Sequence, residues 1–413
     1  GNGVDPLDVI DKFGADSLRF GLAALTTETQ DVRMPVQFEC PHCQALVDQT
    51  LKNRILPRVA CTKCGKEFST QWASKDEDKA LPKAPVVSER FEVARNFMNK
   101  LWNAARFSLI NLSGYSAAPV EVSKLAVEDR WLVSRLSTVT EQVTAAMQTY
   151  KYADATKYLY DFAWDDFCSF YVEITKARMS DPAERPVAQR VLAHTLDVLL
   201  RLLHPLMPFV TEEIWQLLGK IAPVRGLAKP EAAAALCINA PWPTATKSHQ
   251  DAATEARFAT FQTALGALRE IRSRQNIAMK NAIEFSVKCS DETAALLQPM
   301  APYLQSMANA KATAMGPNAT PPENHSKAAL SGMEIFVDMK DLIDVAAELA
   351  KNQQEEPKLI ALIKSKEGKL SNAAFVDKAP ANVVQTERDA LAAAKEKLAA
   401  VQAAIEALRK MKK

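Results

Sequence analysis

The chain has no uninterrupted run of about 18 apolar residues, so it offers no membrane-spanning helix. It has no charged-then-apolar leader ahead of a small-residue cleavage site, so nothing points to secretion and a cytoplasmic location is expected. It also lacks an excess of either charge. Fifty-one Lys and Arg face 49 Asp and Glu, for a net charge of +2 over 413 residues. No whole-molecule field draws in nucleic acid, and any such binding must come from local patches. What the chain does have is length for two to four domains, and a near-half hydrophobic share typical of globular protein.

Seven cysteines are present, an odd number, and four fall in two tight pairs. Cys40-Pro41-His42-Cys43 and Cys61-Thr62-Lys63-Cys64 are C-x-x-C turns separated by residues 44–60. In a chain without a secretion signal such pairs read as metal ligands before disulfides. Two facing turns supply four thiolates, which fits structural zinc and leaves no open position for a catalytic water. Gly65 suits the strained backbone after a knuckle. Phe38, Val47, Ile55, Val59 and Phe68 mark β-prone stretches of a zinc ribbon over 35–85. His42 is expected to be exposed and not a fifth ligand. Cys168, Cys237 and Cys289 read as ordinary buried thiols.

From Ser88 the pattern becomes helical. Phe91, Ala94, Phe97, Leu101, Ala105 and Ile110 recur at helical spacing after a Ser88 cap, with Arg95, Asn96, Asn99, Lys100, Asn103 and Arg106 opposite and Trp102 beside them. Further helices are expected from Glu128, over 153–178 with an aromatic core face, over 187–203, and after Pro208 with Thr211 as cap. Together they make a bundle of about five helices spanning 86–250. Asp165-Asp166 and Glu212-Glu213 read as solvated helix faces, and His194 and His204 as packing histidines.

A helix over 258–274, a strand over 282–288, a helix over 292–307 and a strand over 333–339 predict a small α/β unit over 251–340, with 316–326 as a loop. Two long helices fill 341–413. Leu391, Leu398 and Ile405 step by seven, as do Ala394, Val401 and Leu408, an a/d seam that Leu342, Val345, Leu349, Leu359 and Ile363 can face. They predict an antiparallel hairpin, with Pro357 kinking or interrupting its first helix. The fold class is therefore mainly α: a helical bundle with an inserted zinc ribbon, a small α/β unit and a coiled-coil hairpin.

Several of these stretches resemble a known family. Gly1-Asn2-Gly3-Val4-Asp5-Pro6 and Gly14-Ala15-Asp16 look like the segment just after the lysine-rich ATP-contacting loop of class I aminoacyl-tRNA synthetases, with Gly1 and Asn2 flanking that loop. Residues 95–104 (RNFMNKLWNA), residues 162–173 and Leu203-His204-Pro205-Leu206-Met207-Pro208-Phe209 resemble the anticodon-binding bundle of the valine, isoleucine and leucine enzymes. Residues 369–380, with Leu370-Ser371-Asn372 and Phe375-Val376-Asp377-Lys378-Ala379-Pro380, resemble the tip of the C-terminal arm of valyl-tRNA synthetases.

The resemblance implies a parent enzyme that joins valine to tRNA through an ATP-derived adenylate, with Mg, and edits threonine. A pocket sized for valine cannot strongly reject that near-isostere. Residues 1–34 would be the end of the catalytic domain, whose other motifs, like the editing domain, are expected upstream in cis. Alone this chain is expected to hold tRNA and to activate nothing. The tRNA contacts expected are Arg95, Lys100, Trp102 and Arg106 on the bundle, Arg269, Arg272 and Arg274 on the later helix, and Lys364, Lys366, Lys369, Lys378 and Arg388 on the arm. The chain is expected to be a monomer that binds neither DNA nor membrane. A free-standing RNA-binding or scaffold protein is the alternative. The ribbon stands where the family has only a short connection, so the resemblance gives it no role.

Overall fold

The structure, a computed structural model, describes residues 4–27, 30–31, 34–340, 345–371 and 381–411. Gly1, Asn2, Leu342 and Lys378 lie outside them, as does most of the arm-tip segment. The chain divides into two compact units, Gly1–Phe258 and Ala259–Lys413.

The first unit opens with α1 (Pro6–Phe13), capped by Asp5, and α2 (Ala15–Leu25). Between them Gly14 takes φ +90, a backbone that side chains disfavour. The ribbon follows as two small antiparallel hairpins, β1 (Gln37–Glu39) with β2 (Leu46–Asp48) and β3 (Arg58–Ala60) with β4 (Glu67–Ser69). Phe38, Val47, Val59 and Phe68 lie buried at the strand centres around the two knuckles. Ile55 does not join them. It is 63% exposed in the turn before β3, because no strand forms there to carry it inward.

After α3 (Asp76–Lys79), β5 (Val86–Val87) pairs with β1 and leads into α4 (Arg90–Asn111). Val9, Phe13, Val87 and Phe91 form one small core, so the ribbon is rooted on α1 and α4. Lys12 and Glu39 pair at 2.8 Å, and Asp8 accepts the Val86 N–H. Phe91, Ala94, Phe97, Leu101 and Ala105 face the core as the spacing predicts. Ile110 is exposed, and Ser108 and Leu112 hold the buried positions instead.

Then come α5 (Val127–Gln148) and α6 (Tyr152–Asp161), the latter continuing through a π-helical stretch, Phe162–Tyr171, into α7 (Val172–Arg178). The extra residue in that helix re-aims the aromatic side chains. Phe162, Phe167, Phe170 and Tyr171 are buried, with Phe170 edge-on to Trp131 and Trp131 stacked on Phe258 at 4.6 Å. Asp166 is not a solvated carboxylate. It is buried and paired with Arg135 of α5 at 3.0 Å.

The bundle closes with α8 (Arg185–Leu203), α9 (Pro208–Ile221) and a short hairpin of β6 (Val224–Arg225) and β7 (Glu231–Ala232). Thr211 does not cap α9. It sits one turn inside, donating to Met207 O and lying 2.8 Å from His204 Nδ1. The cap comes from α2, where the Asp16 carboxylate accepts the N–H groups of Phe209 at 3.1 Å and Val210 at 2.6 Å. Pro208 itself has no N–H to satisfy. Asp16→Ala is expected to cost about 1–2 kcal/mol by denaturant titration, and Asp16→Asn much less, since an amide oxygen still accepts. Equal losses in the two variants would refute the cap.

Helix α10 (Ala252–Arg274) begins six residues earlier than its apolar pattern suggests, because Asp251 caps it through Thr254 N–H. In the second unit β8 (Ile283–Cys289), α11 (Asp291–Leu297), α12 (Ala301–Ala308), β9 (Ala310–Gly316), β10 (His325–Leu330) and β11 (Met333–Asp338) build a four-stranded sheet of order β10-β11-β8-β9. Pro299 and Pro302 break the expected single helix into α11 and α12. The end of β9 and the start of β10 occupy the two ends of the expected loop.

The arm pairs α13 (Val345–Ser371) with α14 (Ala381–Met411). Leu359, Ile363, Val384, Ala394, Val401 and Ile405 are buried along the seam. Ion pairs Lys366–Glu387, Lys395–Glu367 and Lys397–Glu355 cross it with antiparallel register. Helix α13 runs through Pro357 without interruption. Pro357 and Gln353 are both exposed, so water can serve the carbonyl the proline cannot.

Candidate metal centre and nucleic-acid interface

Cys40, Cys43, Cys61 and Cys64 place all four sulfurs within 4.8 Å of one another. Cys40 and Cys64 Sγ are 3.8 Å apart, and Cys43 and Cys61 Sγ 3.6 Å. A tetrahedron with Zn–S arms of ~2.3 Å has edges of about 3.8 Å, so the four thiols fit a tetrahedral metal ion. Each knuckle closes the same way. Cys40 N–H donates to Ala45 O and Gln44 N–H to Cys40 O; Cys61 N–H donates to Lys66 O and Gly65 N–H to Cys61 O. Gln44 (φ +59) and Gly65 (φ +73) hold equivalent left-handed positions, though only the glycine is legible as such in the sequence.

The Cys61 thiol is drawn down to about 6 by the N–H of Cys64 and then that of Lys63, against the opposing effect of burial. Burial instead pushes Cys168 and Cys237 up to about 12, as inert core thiols should be. His42 is exposed and its Nε2 lies 3.0 Å from Glu67 O, away from the sulfurs.

The expected basic contacts fare unequally. On α4, Trp102 and Arg106 are exposed on one stripe with Asn99 and Asn103. Arg95 pairs with Glu92 at 3.1 Å and lies over Phe13. Lys100 is folded inward over Trp164 at 3.8 Å and bonded to Ser169 Oγ, and burial lowers its basicity. Tyr160 stacks on Trp164, and Lys100 also lies over that ring. This matches a packing role for the aromatic helix rather than a platform for bases.

On α10, Arg272 is 3% exposed and donates to the carbonyls of Ala308, Ala278, Asn281 and Asn309. It closes the C-terminal end of α12 and drops out of the RNA-facing set. Arg269 and Arg274 remain exposed, the latter partly engaged by Ser326 and Lys327. On the arm Lys364 and Arg388 are exposed without an ion pair among the described residues, whereas Lys366 and Lys369 share Glu387.

Residues 129–289 match the anticodon-binding domain of tRNA ligase, and residues 344–409 match the valyl tRNA synthetase tRNA binding arm. A valine–tRNA ligase of Rhodopirellula baltica is 53% identical over 403 residues, 97% of this chain. One of Bacillus subtilis is 32% identical over 94% of it. The chain belongs to the valyl-tRNA synthetase family. It spans about two fifths of those relatives' own length, 39% and 37% respectively.

A leucine enzyme solved as a LeuRS-tRNA-LeuAMS complex from Agrobacterium radiobacter K84 aligns at TM-score 0.36 and 19% identity, over 61% of this chain and 22% of its own. Within the valyl-tRNA synthetase family frame, the arm match takes in both α13 and α14, and the bundle match runs from α5 to β8. The ribbon lies outside both matched spans.

Proposed function

We propose that this chain is the tRNA-holding portion of a valine–tRNA ligase. The arm carries the reading: a helical hairpin with exposed Lys364 and Arg388, in the span that matches the family's tRNA-binding arm. The parent enzyme would use ATP and Mg to make valyl-adenylate and pass valine to tRNA(Val) in the cytoplasm, as a monomer, and residues 1–34 would join its catalytic domain. This portion contributes grip and no chemistry. The zinc proposed for Cys40, Cys43, Cys61 and Cys64 is structural, since all its positions are filled by protein. Arg106 and Trp102 would meet the RNA on α4.

Titration of a tRNA(Val) transcript against this chain at several salt concentrations tests the reading. The Lys364→Gln/Arg388→Gln variant is expected to bind more weakly, with a salt slope shallower by roughly 1.4–1.8, or 0.7–0.9 for each phosphate no longer neutralised. An unchanged slope sinks the arm assignment.

A further inference from the structure

One stretch of the ribbon is basic with no acid of its own. Residues 49–66 hold Lys52, Arg54, Arg58, Lys63 and Lys66 and not one acid, in a chain whose net charge is +2. Arg58 is occupied by Asp78 at 2.6 Å and by Glu67. Lys63 lies between the ligand cysteines Cys61 and Cys64, and Lys66 two residues beyond them, so both belong to the knuckle itself. That leaves Lys52 and Arg54, both exposed and without an ion pair among the described residues.

They stand on a loop with a set shape. Asn53 Oδ1 accepts the Thr50 N–H at 2.7 Å, and its Nδ2 donates to Asp48 O at 2.9 Å. Leu51 and Ile55 project from the same turn, 79% and 63% exposed. Thr70 donates to Leu56 O and Pro57 O and accepts from Trp72 N–H, which brings Trp72, 40% exposed, alongside. Exposed cations on a turn of set shape, joined through Thr70 to the segment that carries a half-open tryptophan, are what an RNA backbone with an unstacked base requires. A protein partner would leave the unpaired cations to be desolvated unless it brought acids of its own.

We propose that the loop around Lys52 and Arg54 is a separate tRNA contact, with the two cations on phosphates and Trp72 against a base. It rests on the tRNA-holding reading above. It also gives the metal a purpose, since the knuckles fix both ends of the loop.

The test is salt-dependent binding of a tRNA(Val) transcript to the full chain. Lys52→Gln/Arg54→Gln is expected to lower the salt slope by roughly 1.4–1.8 with zinc content and helicity unchanged. Trp72→Ala is expected to weaken binding at every salt concentration without altering the slope, since a stacking contact releases no counterions. A wild-type slope in the double variant overturns the proposal and returns the loop to a protein-facing role. Loss of zinc in that variant overturns it too, by assigning the pair to ribbon folding. If the unaltered chain binds no tRNA, this inference and the tRNA-holding reading fall together.

Discussion

Stripping the zinc proposed for the Cys40–Cys43–Cys61–Cys64 site is expected to unfold the ribbon and leave the bundle standing. The ribbon has four strands of three residues each and a core made largely of Phe38, Val47, Val59, Phe68 and two of the ligand cysteines. So little apolar area cannot offset the entropy of ordering about fifty residues, and metal binding must supply the difference, on the order of 10 kcal/mol. Trypsin reports the outcome directly. Lys52, Arg54, Arg58, Lys63 and Lys66 should become cleavage sites after chelation or in Cys61→Ser, while helical circular dichroism changes little. A chelated ribbon that still resists trypsin would show that its core stands without metal.

Arg178→Met is expected to cost the bundle about 3–5 kcal/mol. Arg178 bonds Asp129 at 2.6 Å and Glu184 at 2.8 Å, and lies 3.5 Å from Glu128. Asp129 is fully buried and also accepts the Tyr171 hydroxyl, whose proton burial holds firmly in place. Removing the guanidinium takes away the cation that balances the buried Asp129 and Glu128, where water cannot reach. Restoring neutrality should therefore recover stability: Arg178→Met combined with Asp129→Asn and Glu128→Gln is expected to unfold at higher denaturant than Arg178→Met alone. No recovery would mean that poorer packing, not stranded charge, sets the cost.

What the sequence reveals here follows the range of the forces involved. The cysteine knuckles, the core face of α5, most of that of α4 and, among the described side chains, Ala394, Val401 and Ile405 of the α14 steps are written in near neighbours and are found where the spacing places them. The Asp16 cap joins residues 193 apart, so no local pattern announces it. β9, rich in alanine, has little strand propensity of its own and exists because β8 offers it a partner. Arg272 reads as surface charge on a helix, yet the open carbonyls at the end of α12 draw it inside. The π-helical stretch depends on a shift in backbone bonding that composition does not encode. The start of α10 is different, because Asp251 and Thr254 are a capping pair three residues apart and a local reading can find them.

The Asp16 cap also sets an order of assembly. The amides that Asp16 holds are made nearly two hundred residues after it, which at ribosomal rates of 5–20 residues per second is about 10–40 s later. Through that interval α2 waits for α9, while the ribbon, rooted on α1, follows α2 directly in the chain. Closing the ribbon on its metal would then shorten the free chain still to be gathered. The opening helices thus stay provisional until α9 arrives, and the final closure of the bundle belongs to a late step of synthesis.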